Sequence, residues 1–120
     1  MPAQSPEQCD ELFGRYLNEG DLDRLAALYA PEASLVGQDG SPASGTKGIR
    51  EALQGFITQK PKITMKVTRV VRAGDNLAVL YNDWSAQVAG TEMKGKAIEV
   101  VRRQRDGTWS FLVDDPFARG

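Results

Sequence analysis

The chain has 120 residues, of which 41% are hydrophobic and 26% charged, and its formal net charge is −1. This length suits one domain over residues 1–120 with a core of its own, and the even charge balance gives no electrostatic reason to expect nucleic acid or an anionic membrane as a partner. The sequence has no histidine, which excludes Ser-His-Asp and Cys-His catalysis and imidazole-based zinc sites.

Targeting and cofactor signals are missing from the sequence. The opening segment MPAQSPEQCDELF lacks a basic stretch followed by an apolar one, so we expect no signal peptide. No apolar run approaches the roughly 20 residues of a membrane span. A single cysteine, Cys9, cannot form an internal disulfide or a cysteine-based metal site, which favours a cytoplasmic location. No phosphate-binding glycine motif is present, so nucleotide binding has no support in the sequence. We therefore expect no cofactor, and the lack of histidine and of a second cysteine gives no reason to expect a metal.

Two helices are predicted in the first 30 residues. Ser5-Pro6-Glu7-Gln8 is typical of a helix start, and apolar residues then recur at helical spacing until Asn18-Glu19-Gly20. Asp21 is expected to cap a short second helix that carries Tyr29 on its inner face and stops before Pro31.

The remaining elements are one helix and several strands. A brief strand, ASLVG, and a loop, QDGSPASG, precede the third helix, for which Thr46 is the expected cap. Four strands are predicted at residues 62–73, 76–88, 93–105 and 108–115, with turns at Gly74-Asp75, near Gly90 and at Asp106-Gly107. This order predicts an α+β domain in which three N-terminal helices pack on one face of a curved antiparallel sheet.

Carboxylate residues occur within strands whose other residues are apolar and are expected to be buried. If Asp106-Gly107 is a two-residue hairpin loop, Glu99 faces Asp114 on the neighbouring strand. In one register of the preceding hairpin, Glu99 also lies beside Asp83. Such a row of like charges is destabilising unless raised pKa values, a cation or a polar ligand compensates. The alternative is that Asp114 merely ends its strand and that Asp83 faces solvent as an ordinary surface group.

The aromatic residues offer a second set of candidates. Tyr16 and Tyr29 lie on helical stripes, where tyrosine is more often core than catalytic. Trp84, Trp109 and Phe117 could line a pocket, although aromatic residues in strands usually serve packing.

Three sequence segments resemble the NTF2-like superfamily, and in particular its ketosteroid isomerase-like and SnoaL-like members, including the SgcJ/EcaC-type proteins. They are LNEGDLDRLAALYAPEASLVG, SGTKGIREAL and EVVRRQRDGTWSFLVDDPF, in this order. The resemblance implies a cystatin-like cone, in which the curved sheet wraps the helices around a deep apolar pocket for a small apolar molecule. It matches Glu99 to the protonated acid of the ketosteroid isomerase oxyanion hole. The residues then expected to contact a ligand are Phe13, Tyr16, Phe56, Trp84, Asp114 and Phe117.

Two parts of the isomerase arrangement are displaced in this sequence. The family tyrosine of the first helix falls at Phe13, which has no hydroxyl, and Tyr16 follows one turn later. The position of the catalytic base reads as Gly37, with Asp39 the nearest acid. Steroid isomerisation by the known arrangement is therefore not expected. What the resemblance still implies for this sequence is the fold, the pocket and one acid, Glu99.

Two functional classes remain open. The first is an isomerase-, cyclase- or hydratase-type enzyme for an apolar or polyketide-like substrate, with Glu99 working beside Asp39, Asp83 or Tyr16 as acid and base. The second is a non-catalytic module that binds a ligand or associates through its sheet.

A homodimer through the convex sheet face is also predicted. Three strands carry neighbouring apolar residues on both faces, whereas a sheet with one face in water alternates more cleanly. The neighbouring pairs are Val67 and Val70, Val79 and Leu80, and Val100 and Val101.

Overall fold

The computed structural model describes residues 3–118. Its elements are α1 (Pro6–Glu19), α2 (Leu22–Ala26), β1 (Tyr29–Val36), β2 (Pro42–Ser44), α3 (Gly45–Ile57), β3 (Lys62–Ala73), β4 (Leu77–Val88), β5 (Thr91–Arg103) and β6 (Trp109–Asp115). The strands form one curved sheet in the order β2-β1-β6-β5-β4-β3, and β3 to β6 are an antiparallel meander. The predicted α+β fold, with N-terminal helices packed on the sheet, is confirmed.

The sheet itself differs from the expected one in two respects. It is mixed, because β1 runs parallel to β6, and it gains an edge strand at Pro42–Ser44, where a loop was expected. Tyr29 does not continue α2 but begins β1, since the Phe111 amide donates to the Leu28 carbonyl (2.8 Å) and draws this segment onto the sheet. Within residues 3–118, no helix is long and apolar enough to cross a membrane.

The helix ends follow from local hydrogen bonds. Ser5 caps α1 by accepting from the Gln8 amide (3.2 Å), and the Asp21 carboxylate caps α2, as predicted. For α3 the prediction of Thr46 was wrong, because the helix begins at Gly45 and Ser44 is its N-cap residue. The Ser44 hydroxyl lies 3.2 Å from a serine hydroxyl on β1 and makes no capping bond.

The hairpin between β4 and β5 sets a register that the sequence analysis missed. Ala89 and Gly90 both have positive φ, 51° and 79°, and form a two-residue turn of the kind that matches strand twist. Leu80 consequently faces Glu99, and Asp83 faces Lys96. The expected contact between Glu99 and Asp83 is therefore absent.

The hairpin between β5 and β6 pairs Glu99 with Asp114, as predicted, but by a different route. Its loop is longer than the two residues expected, because the Gln104 amide bonds to the Thr108 carbonyl (2.6 Å). A bulge at Leu112 then adds one unpaired residue to β6 and restores the pairing.

The core lies between α1, α2, α3 and the concave sheet face. Its largest fully buried apolar side chains are Phe111, Leu17, Leu25, Ile49, Leu80 and Val101. At the edge of the sheet, the Asn18 side chain pairs with the backbone of Ile63 through two hydrogen bonds (3.0 and 2.7 Å). Asn18 thus ties α1 to β3 and satisfies backbone groups that an edge strand leaves open.

Candidate functional site

A cavity of about 440 Å³ lies between α1, α3, β1 and the concave face of the sheet. Apolar side chains from all these elements form its walls: Phe13, Leu35, Ala43, Leu53, Phe56, Ile63, Met65, Trp84, Met93, Ala97 and Phe117. Ser41, Pro42 and Ala52 also line it and are exposed, which locates the mouth between the β1–β2 turn and α3.

Trp84 packs against Pro116 and Phe117 and with them forms the part of the cavity wall near the C-terminus. Its indole nitrogen donates to the Pro116 carbonyl (2.6 Å), and its ring meets that of Phe117 edge-on at 5.6 Å. The other side of the indole lies against Gly95, where an added Cβ would come within 2.6 Å of the ring. Only glycine therefore leaves room for Trp84 in this position.

Polar side chains from four strands and one helix meet in the core. Glu99 and Asp114 line the cavity, and they are only 2% and 3% exposed. Beside them lie Asp10 of α1, Asn82 of β4 and Tyr29 of β1. We call these five side chains the acid cluster.

Hydrogen bonds connect the members of the acid cluster. The Asn82 amide donates to Asp10 Oδ2 (2.9 Å) and to Glu99 Oε2 (3.0 Å). The Tyr29 hydroxyl donates to Asp114 Oδ2 (2.5 Å). The carboxyls of Glu99 and Asp10 also share a hydrogen bond, whereas Asp114 Oδ1 has no hydrogen-bond partner among the described residues.

Burial controls the protonation of the acid cluster. It raises the pKa of Glu99 well above the usual range, and the hydrogen bond to Asp10 and the charge of Asp114 add to that effect. Burial also raises the pKa of Asp114 to about 7, against the opposing hydrogen bond from Tyr29. The pKa of Asp10 is raised by burial too, although its hydrogen bonds with Glu99 and Asn82 oppose this. Glu99 is therefore the member that keeps its proton, which it donates to Asp10.

Tyr29 stays protonated beside these acids. Its pKa is raised well above the usual range by burial and by the charge of Asp114. The hydroxyl is consequently a fixed donor to Asp114 and stabilises the ionised form of that carboxyl.

The structure brings together most of the residues that the sequence analysis selected for the pocket. The cavity is lined by Glu99, Phe13, Phe56, Trp84, Asp114 and Phe117. Tyr16 instead packs in the hydrophobic core, where it is 3% exposed.

Two of the acids selected from the sequence lie elsewhere. Asp83 is exposed on the convex face, 3.3 Å from the Lys96 ammonium, because strand alternation places its neighbour Asn82 on the concave side. Asp39 is exposed in the β1–β2 turn, where its carboxylate accepts from the Ser41 amide (2.9 Å).

The positions of Asp10 and Asn82 in the sequence indicate inward-facing polar side chains, which the sequence analysis did not select. Asp10 sits three and seven residues before Phe13 and Leu17, on the inward stripe of α1. Asn82 occupies an inward position in the alternating segment LAVLYNDW. A polar residue at an inward position of an amphipathic element is a candidate for a buried site.

The fold is that of the NTF2-like superfamily. Residues 11–111 match the SnoaL-like domain family. Because this match covers most of the chain, the protein belongs to the SnoaL-like family.

Three solved structures illustrate the fold similarity. An NTF-2 like protein of unknown function from Shewanella oneidensis has a TM-score of 0.79 and 16% identity, over 90% of this chain and 92% of that one. A ketosteroid isomerase-like protein from Erwinia carotovora has a TM-score of 0.75 and 15% identity, over 91% and 89%. A structure from Xanthomonas campestris, described as a calcium/calmodulin dependent protein kinase II association domain, has a TM-score of 0.76 and 23% identity, over 91% and 81%. At these identities the similarity establishes the fold alone.

Proposed function

We propose that the protein binds an apolar small molecule in the cavity and acts on it by carboxyl acid–base chemistry, as an enzyme of the isomerase, cyclase or hydratase type. One observation carries this proposal: Glu99 and Asp114, both buried, lie on neighbouring strands and line the same apolar cavity. Perturbed carboxyls in a cavity are typical of sites that transfer protons.

The two carboxyls suit different roles in this proposal. Asp114, whose pKa is raised by burial to about 7, can accept or return a proton near neutral pH. Glu99, which keeps its proton, orients the site through Asp10 and Asn82. Asp83 and Asp39 have no part in it, since both are exposed and neither is among the cavity-lining residues.

Binding is tested with the fluorescent probe N-phenyl-1-naphthylamine. Ala52 lines the cavity at its mouth, so Ala52→Trp should weaken binding at least about tenfold by occupying space that the probe needs. Gln54→Trp is the matched control, because Gln54 is an exposed position of α3 that does not line the cavity. Equal affinity of the two variants would contradict binding in this cavity.

Acid–base catalysis is tested in D₂O with a panel of apolar ketones, allylic alcohols and amines, by following deuterium uptake by NMR. Uptake of deuterium that depends on the protein should be lost in Asp114→Asn and kept in Asp83→Asn. If Asp114→Asn leaves the rate unchanged, or no compound that binds the cavity takes up deuterium, the catalytic part is wrong and ligand binding alone remains.

A second candidate function, association through the convex face, rests on a row of valines. Val71, Val79, Val100 and Val113 pair across four adjacent strands on that face. Val71 and Val113 are 39% and 38% exposed, so the row presents a continuous apolar strip to solvent. The similar Xanthomonas structure described as an association domain is consistent with association of chains, and the assembly proposed here is a homodimer.

Light scattering at micromolar concentration tests the homodimer. Val113→Lys should convert the dimer to a monomer, whereas Thr64→Lys, an exposed control on β3, should not. A monomeric mass for the unmodified protein would contradict the assembly. A cytoplasmic location remains a prediction from the single cysteine.

A further inference from the structure

We propose that the ligand of the cavity is an apolar amine, whose ammonium group binds Asp114 while its hydrocarbon body fills the cavity. This inference rests on the proposed binding function and narrows it to one chemical class. It depends on which hydrogen-bonding atoms the acid cluster leaves open.

Every donor of the acid cluster is already in use. The two hydrogens of the Asn82 amide go to Asp10 and Glu99, and the Tyr29 hydroxyl hydrogen goes to Asp114. The proton that Glu99 keeps is directed at Asp10. With Asp114 ionised, the acid cluster therefore offers a ligand acceptors and no donors.

The open acceptor belongs to a carboxyl that lines the cavity. Asp114 Oδ1 is buried and has no hydrogen-bond partner among residues 3–118. A buried acceptor without a partner is costly, and a ligand that brings hydrogen atoms to it removes that cost. An ammonium group brings three hydrogens, whereas a ketone brings none.

Charge points to the same class of ligand. No lysine or arginine is among the cavity-lining residues. In each ion pair of the described chain, both partners lie outside the acid cluster. The negative charge of the cluster thus has no protein cation beside it, and a bound ammonium would supply one. The apolar walls select a hydrocarbon body, in a volume of about 440 Å³ that holds a molecule of ordinary ligand size.

Binding of an amine should depend on pH through Asp114. The titratable groups that face Asp114 are Tyr29 from β1, Asp10 from α1, Glu99 from β5 and Asp115 on its own strand. Because burial raises the pKa of Asp114 to about 7, the ionised fraction rises roughly tenfold between pH 6 and pH 8. An alkylamine stays protonated over this range, as lysine does. Its affinity should therefore rise up to about tenfold.

Calorimetric titration with three probes of matched body tests the proposal: 4-phenylbutylamine, 4-phenylbutan-1-ol and 4-phenylbutan-2-one. At pH 8 the amine should bind at least about tenfold more tightly than the alcohol or the ketone, as expected for charge-assisted hydrogen bonds. Asp114→Asn should remove this preference, and Asp83→Asn, an exposed acid outside the cavity, should retain it.

The outcomes separate this inference from the proposed function. If the ketone or the alcohol binds as tightly as the amine at pH 8, or if Asp114→Asn keeps the amine preference, the amine class is wrong and the apolar pocket stands. If none of the probes binds at millimolar concentration, the pocket proposal fails as well. Should Asp114→Asn not fold, the pH dependence of amine binding to the unmodified protein decides: an affinity that does not rise from pH 6 to pH 8 overturns the inference.

Discussion

Replacing Asp114 by asparagine should flatten the pH dependence of stability. The substitution keeps the shape of the side chain and an oxygen that accepts from the Tyr29 hydroxyl, but it removes the titrating carboxyl. The folded pKa of Asp114 is raised by burial from 3.8 to about 7, so the folded state holds this proton more tightly than the unfolded chain. The stability that the proton contributes is therefore fully present below pH 3.8 and is lost as the pH rises through about 7.

The size of the effect follows from the pKa shift. One unit corresponds to about 1.4 kcal/mol, so the shift from 3.8 to about 7 costs at most about 4 kcal/mol of unfolding free energy above pH 7. Of this loss in unfolding free energy, roughly 2–3 kcal/mol falls between pH 5 and pH 8. Removal of Asp114 also takes away a charge that raises the pKa of Glu99, which further reduces the pH dependence.

Urea unfolding of the unmodified protein and of Asp114→Asn at pH 5 and pH 8 measures this directly. The drop in unfolding free energy between the two pH values should be smaller in the variant by roughly 2–3 kcal/mol. Asp83→Asn is the matched control, because its exposed ion pair with Lys96 is worth less than about 1 kcal/mol at either pH.

The reasoning is refuted if Asp114→Asn loses as much stability between pH 5 and pH 8 as the unmodified protein does. It is also refuted if the variant is the less stable protein at pH 8 only. The first result would mean that the pKa of Asp114 is not raised in the folded state. The second would mean that the native state prefers an ionised Asp114 and that the hydrogen bond from Tyr29 outweighs burial.

Three further substitutions test separate parts of the structure. Glu99→Gln should leave the protein folded and raise its stability at pH 8 relative to wild type, because the pKa of Glu99 is raised by burial and the amide does not titrate. Denaturant melts at pH 8 that show a less stable variant would contradict a protonated Glu99. Ala89→Asn should raise the unfolding free energy by roughly 0.5–1 kcal/mol, because φ of 51° suits asparagine better than alanine; an unchanged urea midpoint would speak against the turn. Gly95→Ala should lower stability by about 1–3 kcal/mol and shift the fluorescence of Trp84, since the added Cβ would lie 2.6 Å from the ring; an unaltered spectrum would contradict that contact.

Much of the fold could be predicted because its signals are local. Apolar periodicity and the caps Ser5 and Asp21 located the first two helices, and β3 spans Lys62–Ala73, as predicted. The parallel pairing of β1 with β6 could not be predicted, because it joins segments about 80 residues apart and depends on packing rather than on local sequence.

The candidate site was less predictable, because it depends on register. A shift of one residue moves a side chain to the other face of a sheet. The Ala89-Gly90 turn has no asparagine or aspartate to mark it, so the register that turns Asp83 outward and Asn82 inward was missed. The pair of Glu99 and Asp114 was found because the longer loop and the bulge at Leu112 offset each other.

The position of the acid cluster is the strongest reason to regard it as functional. Apolar residues of similar volume would fill its place at lower cost, since buried charges without a cation are destabilising. For Asp114 alone, the raised pKa corresponds to as much as about 4 kcal/mol near neutral pH, which is a large part of the 5–15 kcal/mol that stabilises an ordinary domain. Glu99 and Asp114 carry this cost at the wall of the cavity, where the open oxygen of Asp114 can meet a ligand. A ligand that supplies hydrogen atoms and positive charge there would recover part of that free energy on binding, so the same carboxyls that weaken the free protein would strengthen the complex.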